Sequence, residues 1–571
     1  MKNLKYYIVV IFVPILFLSG CAKDFLNKPP TANITDVSFY KTDAEVMAAT
    51  ALLYSSVWFD YNDKASYALG DFRGGSVMAL YNYKGNVRFN ATPDDPENGA
   101  AYRAFYTVIG QSNLAILNIN KYAGSGVSPD IKKYAIAEAR YMRALAYRFL
   151  VMSWGDVPII TNNQTLLSDT TIQKNTIQSV WKFITYEMRA VANDLPEKPY
   201  ATGRLTKWSA EGMLARFYLT RAGVESSGGV RNQSFLDSAA YYANRVITLS
   251  NAHLLSNYAD LFKYPYNNNA ESLFELHWVY DTRWGFSNTS PAYLAYSSDI
   301  GNGDGWGDEI TATWWMMKKY EGFSSFGDPV VDTMLRGSSM DQRLKATFML
   351  PGAYYPEITQ TLNGVDQKLI FPYVVDLKDK VNKLNVKKYI VGQAKDVGGL
   401  ASSQRYPNDT YMQRLAEIYL IYAEAIVGNN GSTSDQTAID YFNKVHTRAG
   451  LTAINGSISL DTIFNERILE FAMEGMSWYD MVNLHYYNPD KTFAIYNSQD
   501  RGLFWTQPDN DVATKWTTPP TISQWTLRKT AWDTNRSINV YEGNFYLPLP
   551  AAEISQAPNL RKPAVDYYSG K

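Results

Sequence analysis

Apolar positions between residues 43 and 249 recur at helical spacing and predict helices over 43–57, 100–121, 130–153, 176–193, 206–222 and 235–249. The period is clearest in 130–153, where Ala135, Ala139, Met142, Ala146 and Phe149 share one face. Thr42, with Glu45 three residues on, makes a capping box for the first helix. Helical patterning returns at 410–427, 435–448 and 461–484. Between 251 and 400 it fades. There Asn, Gly, Tyr, Trp and Pro punctuate short strand-like runs such as Leu273 to Tyr280.

The apolar faces are rich in alanine, from Ala135 to Ala146, Ala210 to Leu219, Ala239 to Val246 and Tyr411 to Val427. Small side chains let helices approach closely, which stacked helix-turn-helix units require. Tetratricopeptide repeats have this texture, here in degenerate form. The expected fold is mostly α: a tetratricopeptide-like helix-pair scaffold with a long irregular, partly β, aromatic-rich insertion. Its parts are an N-terminal helical-repeat region at 36–250, an irregular ligand-binding insertion at 251–400, and a C-terminal helical region at 401–571 completing the same domain.

The N-terminus has a different texture. Lys2 and Lys5 precede an apolar run from Tyr6 to Leu18. That run is too short for a bilayer, which needs roughly twenty helical residues. It predicts a signal peptide over 1–20. The break, Leu18-Ser19-Gly20-Cys21, resembles the lipobox of bacterial lipoproteins, which makes Cys21 the expected lipidation site. Residues 21–35, with Pro29 and Pro30, read as a tether. Cys21 is the single cysteine of the chain, so neither an intrachain disulfide nor a cysteine metal cluster is possible.

Net charge is -1 over 571 residues, leaving no basic surplus for phosphates, and no nucleic-acid partner is expected. Aromatic content is the departure: Phe, Trp and Tyr make up 14% of the chain. Trp278, Trp284, Trp306, Trp314 and Trp315 crowd into 278–315, interleaved with Tyr280, Tyr293, Tyr296 and Tyr320. Trp306 lies in a glycine-rich stretch, Gly301 to Asp308, unsuited to a helix or buried strand. We therefore expect Trp306 and Trp284 to be exposed, with Trp278, Trp314 and Trp315 in the core. Indole and phenol faces stack on the C–H faces of sugar rings while polar neighbours take the hydroxyls, so Trp306, assisted by Trp284 and Tyr296, is the expected ligand contact. His253, His277, His446 and His485 lack ligand spacing, and neither a metal site nor a cofactor is expected.

Several stretches, in order, resemble the SusD/RagB family. They are Glu138 to Tyr147 followed by Trp154 to Pro158, Gly203 to Lys207, Asn269 to Glu275, and Arg414 to Ala425. Asn443 to Gly450, the Glu466, Arg467, Glu470, Glu474, Gly475 and Asp480 pattern, and Leu547 to Ile554 with Asn559 and Leu560 continue the series. Leu415 and His446 depart from the family pattern. The resemblance spans the mature chain. It implies a cell-surface lipoprotein, anchored to the outer membrane, that captures oligosaccharide or polysaccharide for a SusC-like TonB-dependent transporter and is not an enzyme. It also implies that the loop after the first helix joins the site, adding Asp71, Arg73, Tyr81 and Tyr83 to the ligand contacts. Asp71 and Arg73 have an alternative structural reading as a pair.

Two other readings stand beside this one. Some members of the family serve peptide importers, and a helical groove would hold an extended peptide. A glycoside hydrolase would need two carboxylates across a cleft, with Asp304 and Asp308 as candidates. Glu466 and Glu470 are neighbours on a helix, but an ion-pair face with Arg467 and Arg448 explains them better than acid–base chemistry. If Cys21 carries the anchor, Cys21→Ala will move the protein from the membrane to the soluble fraction on ultracentrifugation; a mutant that still pellets would place the anchor elsewhere.

Overall fold

A computed structural model describes residues 39–79, 82–166, 169, 171–320, 341–350, 353–371, 384–502, 504–508, 525–529 and 538–569. Cys21, the signal and tether segments, and Tyr81 lie outside the described residues.

The scaffold is a run of antiparallel helices: α1 (Asp43–Ala49), α2 (Pro96–Tyr122), α3 (Pro129–Trp154), α4 (Ile177–Asp194), α5 (Lys207–Val224) and α6 (Gln233–Leu249). From α2 onward each helix packs on the next, and α6 then packs on α7 (Leu415–Val427), with all of 250–414 intervening. α8 (Gln436–Arg448), α9 (Leu460–Glu470) and α10 (Ser477–His485) follow. This is the mostly helical, tetratricopeptide-like architecture expected. Local chemistry sets the ends. Thr176, Thr206 and Asn232 cap α4, α5 and α6, Pro96 and Pro129 open α2 and α3, and Gly155 at φ +70° closes α3. Ala135, Ala139, Ala146, Ala210, Ala239 and Ala243 are all fully buried, as close helix approach requires.

Three expected helices are shorter. The first stops at Ala49, because the Thr50 hydroxyl turns inward to Glu138 at 2.6 Å and the Met47 carbonyl at 3.2 Å. The chain then proceeds through tight and wide single turns to Phe72. Residues 410–414 are not helical but form a strand. The stretch 461–484 breaks at 471–476, where Met473 (φ +63°) and Gly475 (φ +69°) are left-handed. The Asp71 carboxylate fixes that break by accepting the backbone N–H groups of Met473 and Gly475, each at 2.9 Å.

Short antiparallel pairs organise the intervening 250–414 excursion, and one of them joins it to the early loop. β1 (Val77–Ala79) pairs with β3 (Ile310–Ala312), Val77 opposite Ala312. β2 (Ser272–Leu276) pairs with β6 (Thr410–Arg414), and β4 (Tyr354–Leu362) forms a hairpin with β5 (Val365–Ile370). Trp278, Trp314 and Trp315 are buried, as expected.

Charge is buried at the helix seams. Arg143 meets Glu187 between α3 and α4, Arg245 meets Glu211 between α5 and α6, and Arg216 meets Glu417 between α5 and α7. The densest cluster centres on Glu470, which is fully buried and paired with Arg343, Arg414 and Arg448. Arg414 also reaches Glu271 and Glu474, each at 2.8 Å, and Arg343 reaches Glu466 and Asp341, each at 2.6 Å. Arg448 therefore serves as the ion-pair face reading expects. Arg467 does not: it turns to Asp480 and Glu417.

Burial alone would raise the Glu470 pKa, but Arg448, Arg414 and Arg343 outweigh it and hold the carboxyl well below its usual range. A depressed folded pKa stabilises above the unfolded value of about 4.3 and loses that contribution as pH falls through and below it. Glu470→Ala strands three guanidiniums and should cost about 3–5 kcal/mol. Chemical denaturation at pH 7 measures that loss. Repeated between pH 5 and 3, it should show wild-type stability falling more steeply with acid than that of the variant.

Candidate functional site

The segment 59–65 is the floor of the site. Its wide-turn geometry presents Phe59, Asp63 and Lys64 toward three pieces of the excursion. Trp284 lies edge-on to Phe59, with ring centroids 5.1 Å apart. The Asp63 carboxylate accepts from Thr289 Oγ1 at 2.7 Å and meets Lys64 at 3.4 Å. Lys64 Nζ sits 4.5 Å above the Tyr293 ring, and Tyr293 packs against Trp306 at 5.0 Å.

Both indoles are pushed outward by local backbone. Trp284 caps a loop closed by Val279 N–H donating to Phe286 and by Ser287 Oγ donating to Val279 at 2.8 Å. Gly285 beside it is left-handed at φ +91°. At Trp306 the flanking glycines are obligatory. A Cβ at Gly305 would lie 2.2 Å from the Ser297 backbone, and one at Gly307 would lie 2.2 Å from Leu294. The backbone therefore docks flat on 292–297, with Trp306 N–H on Ala292 and Gly307 N–H on Ala295, and the indole stays outside. Trp306 is 46% exposed and Trp284 56%. Tyrosine and valine at 280 and 279 are exposed beside them.

The early loop does reach this surface. Asn82 donates through its backbone N–H to Glu309 at 3.1 Å and through its amide at 2.5 Å, just beyond Trp306. Tyr83 is half-buried and stacks on Phe72 at 4.7 Å; burial first, then Glu97, Glu309 and Asp63, raise its hydroxyl pKa. Burial likewise raises the Asp63 carboxyl. For Lys64, burial opposes the charge, but Tyr293 and Asp63 outweigh it and raise the ammonium pKa.

Three expected contacts are corrected. Asp71 is wholly buried at the Met473–Gly475 turn, and burial pushes its pKa up to about 7 despite those two N–H donors. Arg73 is also buried, its guanidinium stacked over Phe89 and Trp478 at 4.2 and 4.6 Å and donating to the carbonyls of Asn544 and Phe545. Neither pairs with the other: each anchors a different distant segment. Tyr296 turns its hydroxyl inside and lies edge-on to Phe371 at 5.0 Å, which removes that hydroxyl from a ligand. Tyr81 lies outside the described residues. Lys64, Asp63 and Thr289 carried no sequence signal, since each becomes meaningful only through contacts more than two hundred residues apart or across a turn. Asp304 accepts from Ser403.

One cluster could hold a cation. Donor atoms of Glu275, His277 and Asp409 lie within 4.8 Å of one another. His277 Nε2 donates to the Gly203 carbonyl at 2.9 Å and Nδ1 faces Asp409 Oδ2 at 2.8 Å. Both partners are acceptors, so the ring carries both protons. Burial opposes that charge, but Asp409 and the Gly203 carbonyl raise the imidazole pKa over it. Burial, then Asp409, push Glu275 up to about 8. A metal would have to displace these protons; as it stands, the trio is a charged clasp between the entry turn of α5, β2 and β6. It unites residues that are scattered in sequence, which is why histidine spacing did not reveal it.

Residues 270–567 match the family model described as the SusD family, and 25–219 match one described as starch-binding, associating with outer membrane. The chain belongs to the SusD family. A SusD-like protein of Bacteroides ovatus is 33% identical over 99% of this chain and 98% of its own length. A crystal structure with xylogluco-oligosaccharide, 33% identical, superposes with a TM-score of 0.76 over 91% of this chain and 99% of its own. A SusD-like carbohydrate-binding protein of Bacteroides fragilis, 20% identical, shares the fold at a TM-score of 0.68 over 92% of this chain and 100% of its own. Among the described residues no helix is long and apolar enough to cross a membrane.

Within this SusD-family frame Asp71 has a structural task. Asp71→Ala leaves two buried N–H groups unpaired and should cost about 1–3 kcal/mol each. Thermal melts should fall, while glycan affinity of the folded fraction, read by titration calorimetry, stays unchanged.

Proposed function

We propose that the chain is a cell-surface lipoprotein that captures a glycan on Trp284 and Trp306 and delivers it to a SusC-like TonB-dependent transporter of the outer membrane. The observation that carries the binding reading is the pair of exposed indoles, each packed on one side only. Trp284 rests on Phe59 directly, and Trp306 reaches the same segment through Tyr293, whose ring lies under Lys64 Nζ. Trp284, Tyr293 and Trp306 thus form one aromatic platform over that segment. Lys64, Asp63 and Asn82 border it as hydrogen-bonding groups for sugar hydroxyls. The platform binds and positions; we infer no bond cleavage, and Asp304 is engaged by Ser403.

The relative solved with xylogluco-oligosaccharide supports a β-glucan backbone carrying xylose branches as the ligand class. Lipidation at Cys21 supplies the anchor, and the family description of association with the outer membrane supports that address. Trp306→Ala and Trp284→Ala should each weaken binding of xyloglucan oligosaccharide about tenfold to a hundredfold, the equivalent of about 1.4–2.8 kcal/mol. Melting temperatures should move little, because half-exposed loop rings contribute little packing. A large fall in melting temperature with unchanged affinity would make both rings structural and sink the reading.

A further inference from the structure

We propose that the open groove behind the Trp306 loop is a second saccharide subsite, taking a neutral branch sugar that projects from the glycan held on the indoles. The proposal rests on the platform reading above. The groove has a volume of about 530 Å³ and is walled by Ser298, Asn302, Thr361, Gln393, Ser402 and Ser403, with Gly301 and Gly303 at its base. It shares the Gly301–Trp306 loop with the platform, and three residues from Gly303 to Trp306 span at most about 11 Å.

Its chemistry is selective. The wall is made of hydroxyls and side-chain amides with Asp299 as its charged group, so it offers no cation to a sulfate or uronate and no aromatic face to an apolar ligand. Neutral polyol edges, which donate and accept at once, match it. The wall is also held in place. Gln393 Nε2 donates to the Asp299 carbonyl at 2.7 Å and to Thr361 Oγ1 at 2.9 Å, bridging to β4. Asn302 accepts from Ala394 N–H at 2.8 Å and donates to the Tyr406 hydroxyl at 3.0 Å. Ser403 donates to Asp304. The Ser298 and Ser402 hydroxyls make no side-chain hydrogen bond among the described residues, leaving both available to a ligand. A Cβ added at Gly303 would meet open space, so the loop is uncovered at that residue of the groove. Without an aromatic ring the groove would hold a lone sugar weakly. Its effect is to discriminate among glycans already stacked on Trp306 and Trp284.

The test compares a linear cello-oligosaccharide with a xylose-branched oligosaccharide of equal backbone length, titrated into the full mature protein. Wild type should prefer the branched ligand by about fivefold to tenfold. The double substitution Ser298→Leu with Ser402→Leu fills the groove and should abolish that preference while leaving affinity for the linear ligand unchanged. Ser402→Leu alone, read by the same ratio, serves if the double variant melts early. Equal wild-type affinity for both ligands, or a preference that survives substitution, overturns the subsite. Wild-type failure to bind either ligand overturns the platform reading itself, and the subsite with it, before any variant is made.

Discussion

Glu470 is a carboxylate with no water in reach, and three guanidiniums make its charge tolerable. Each of the three arrives from a different part of the chain: Arg343 from the excursion, Arg414 from the end of β6, and Arg448 from the last turn of α8. Removing any arm leaves the others uncompensated in a low-dielectric interior, so the cluster stands or falls as a unit. Lys388 and Glu474 extend it toward the turn that Asp71 holds. The irregular half of the molecule is thereby locked to the helical half by charge, since its short strands offer few ladder bonds of their own.

That lock explains how a site made of loops can be rigid. The segment 59–65 is held from below by Tyr61, which packs on Phe105 and Phe149, and the Trp284 and Trp306 loops are held by their own backbone hydrogen bonds. Antiparallel pairing of β1 with β3 brings the early loop and the aromatic loop to one edge. Preorganisation of this kind would limit the ordering cost of the glycan binding proposed above. The two indoles can then stay half-exposed, because their backbone rather than their side chains supplies the anchorage.

Asp71 and Arg73 show where reasoning from residue type and loop position goes astray. Both are polar, both sit among glycines and aromatics, and both would suit a sugar. In the fold they face inward, Asp71 to left-handed backbone four hundred residues later in sequence and Arg73 to carbonyls near the C-terminus. Their burial is sustained by backbone partners with no sequence signature, since any residue supplies an N–H or a carbonyl.

The helical scaffold was legible because it is local. Apolar periodicity and alanine spacing act within a few residues, so they marked α2 to α6 and α8 close to their observed places. Exposure of Trp306 was legible for the same reason: the glycines on either side of it are a local backbone requirement. The break at Met473, the strand at 410–414 and the clasp of Glu275, His277 and Asp409 were not, because each depends on a partner far along the chain. Sequence alone therefore determined the helical texture, the family and the outward indoles. Tertiary structure decided which charges are buried and which aromatics share a face, because burial and long-range pairing are properties of the packed chain and not of its segments.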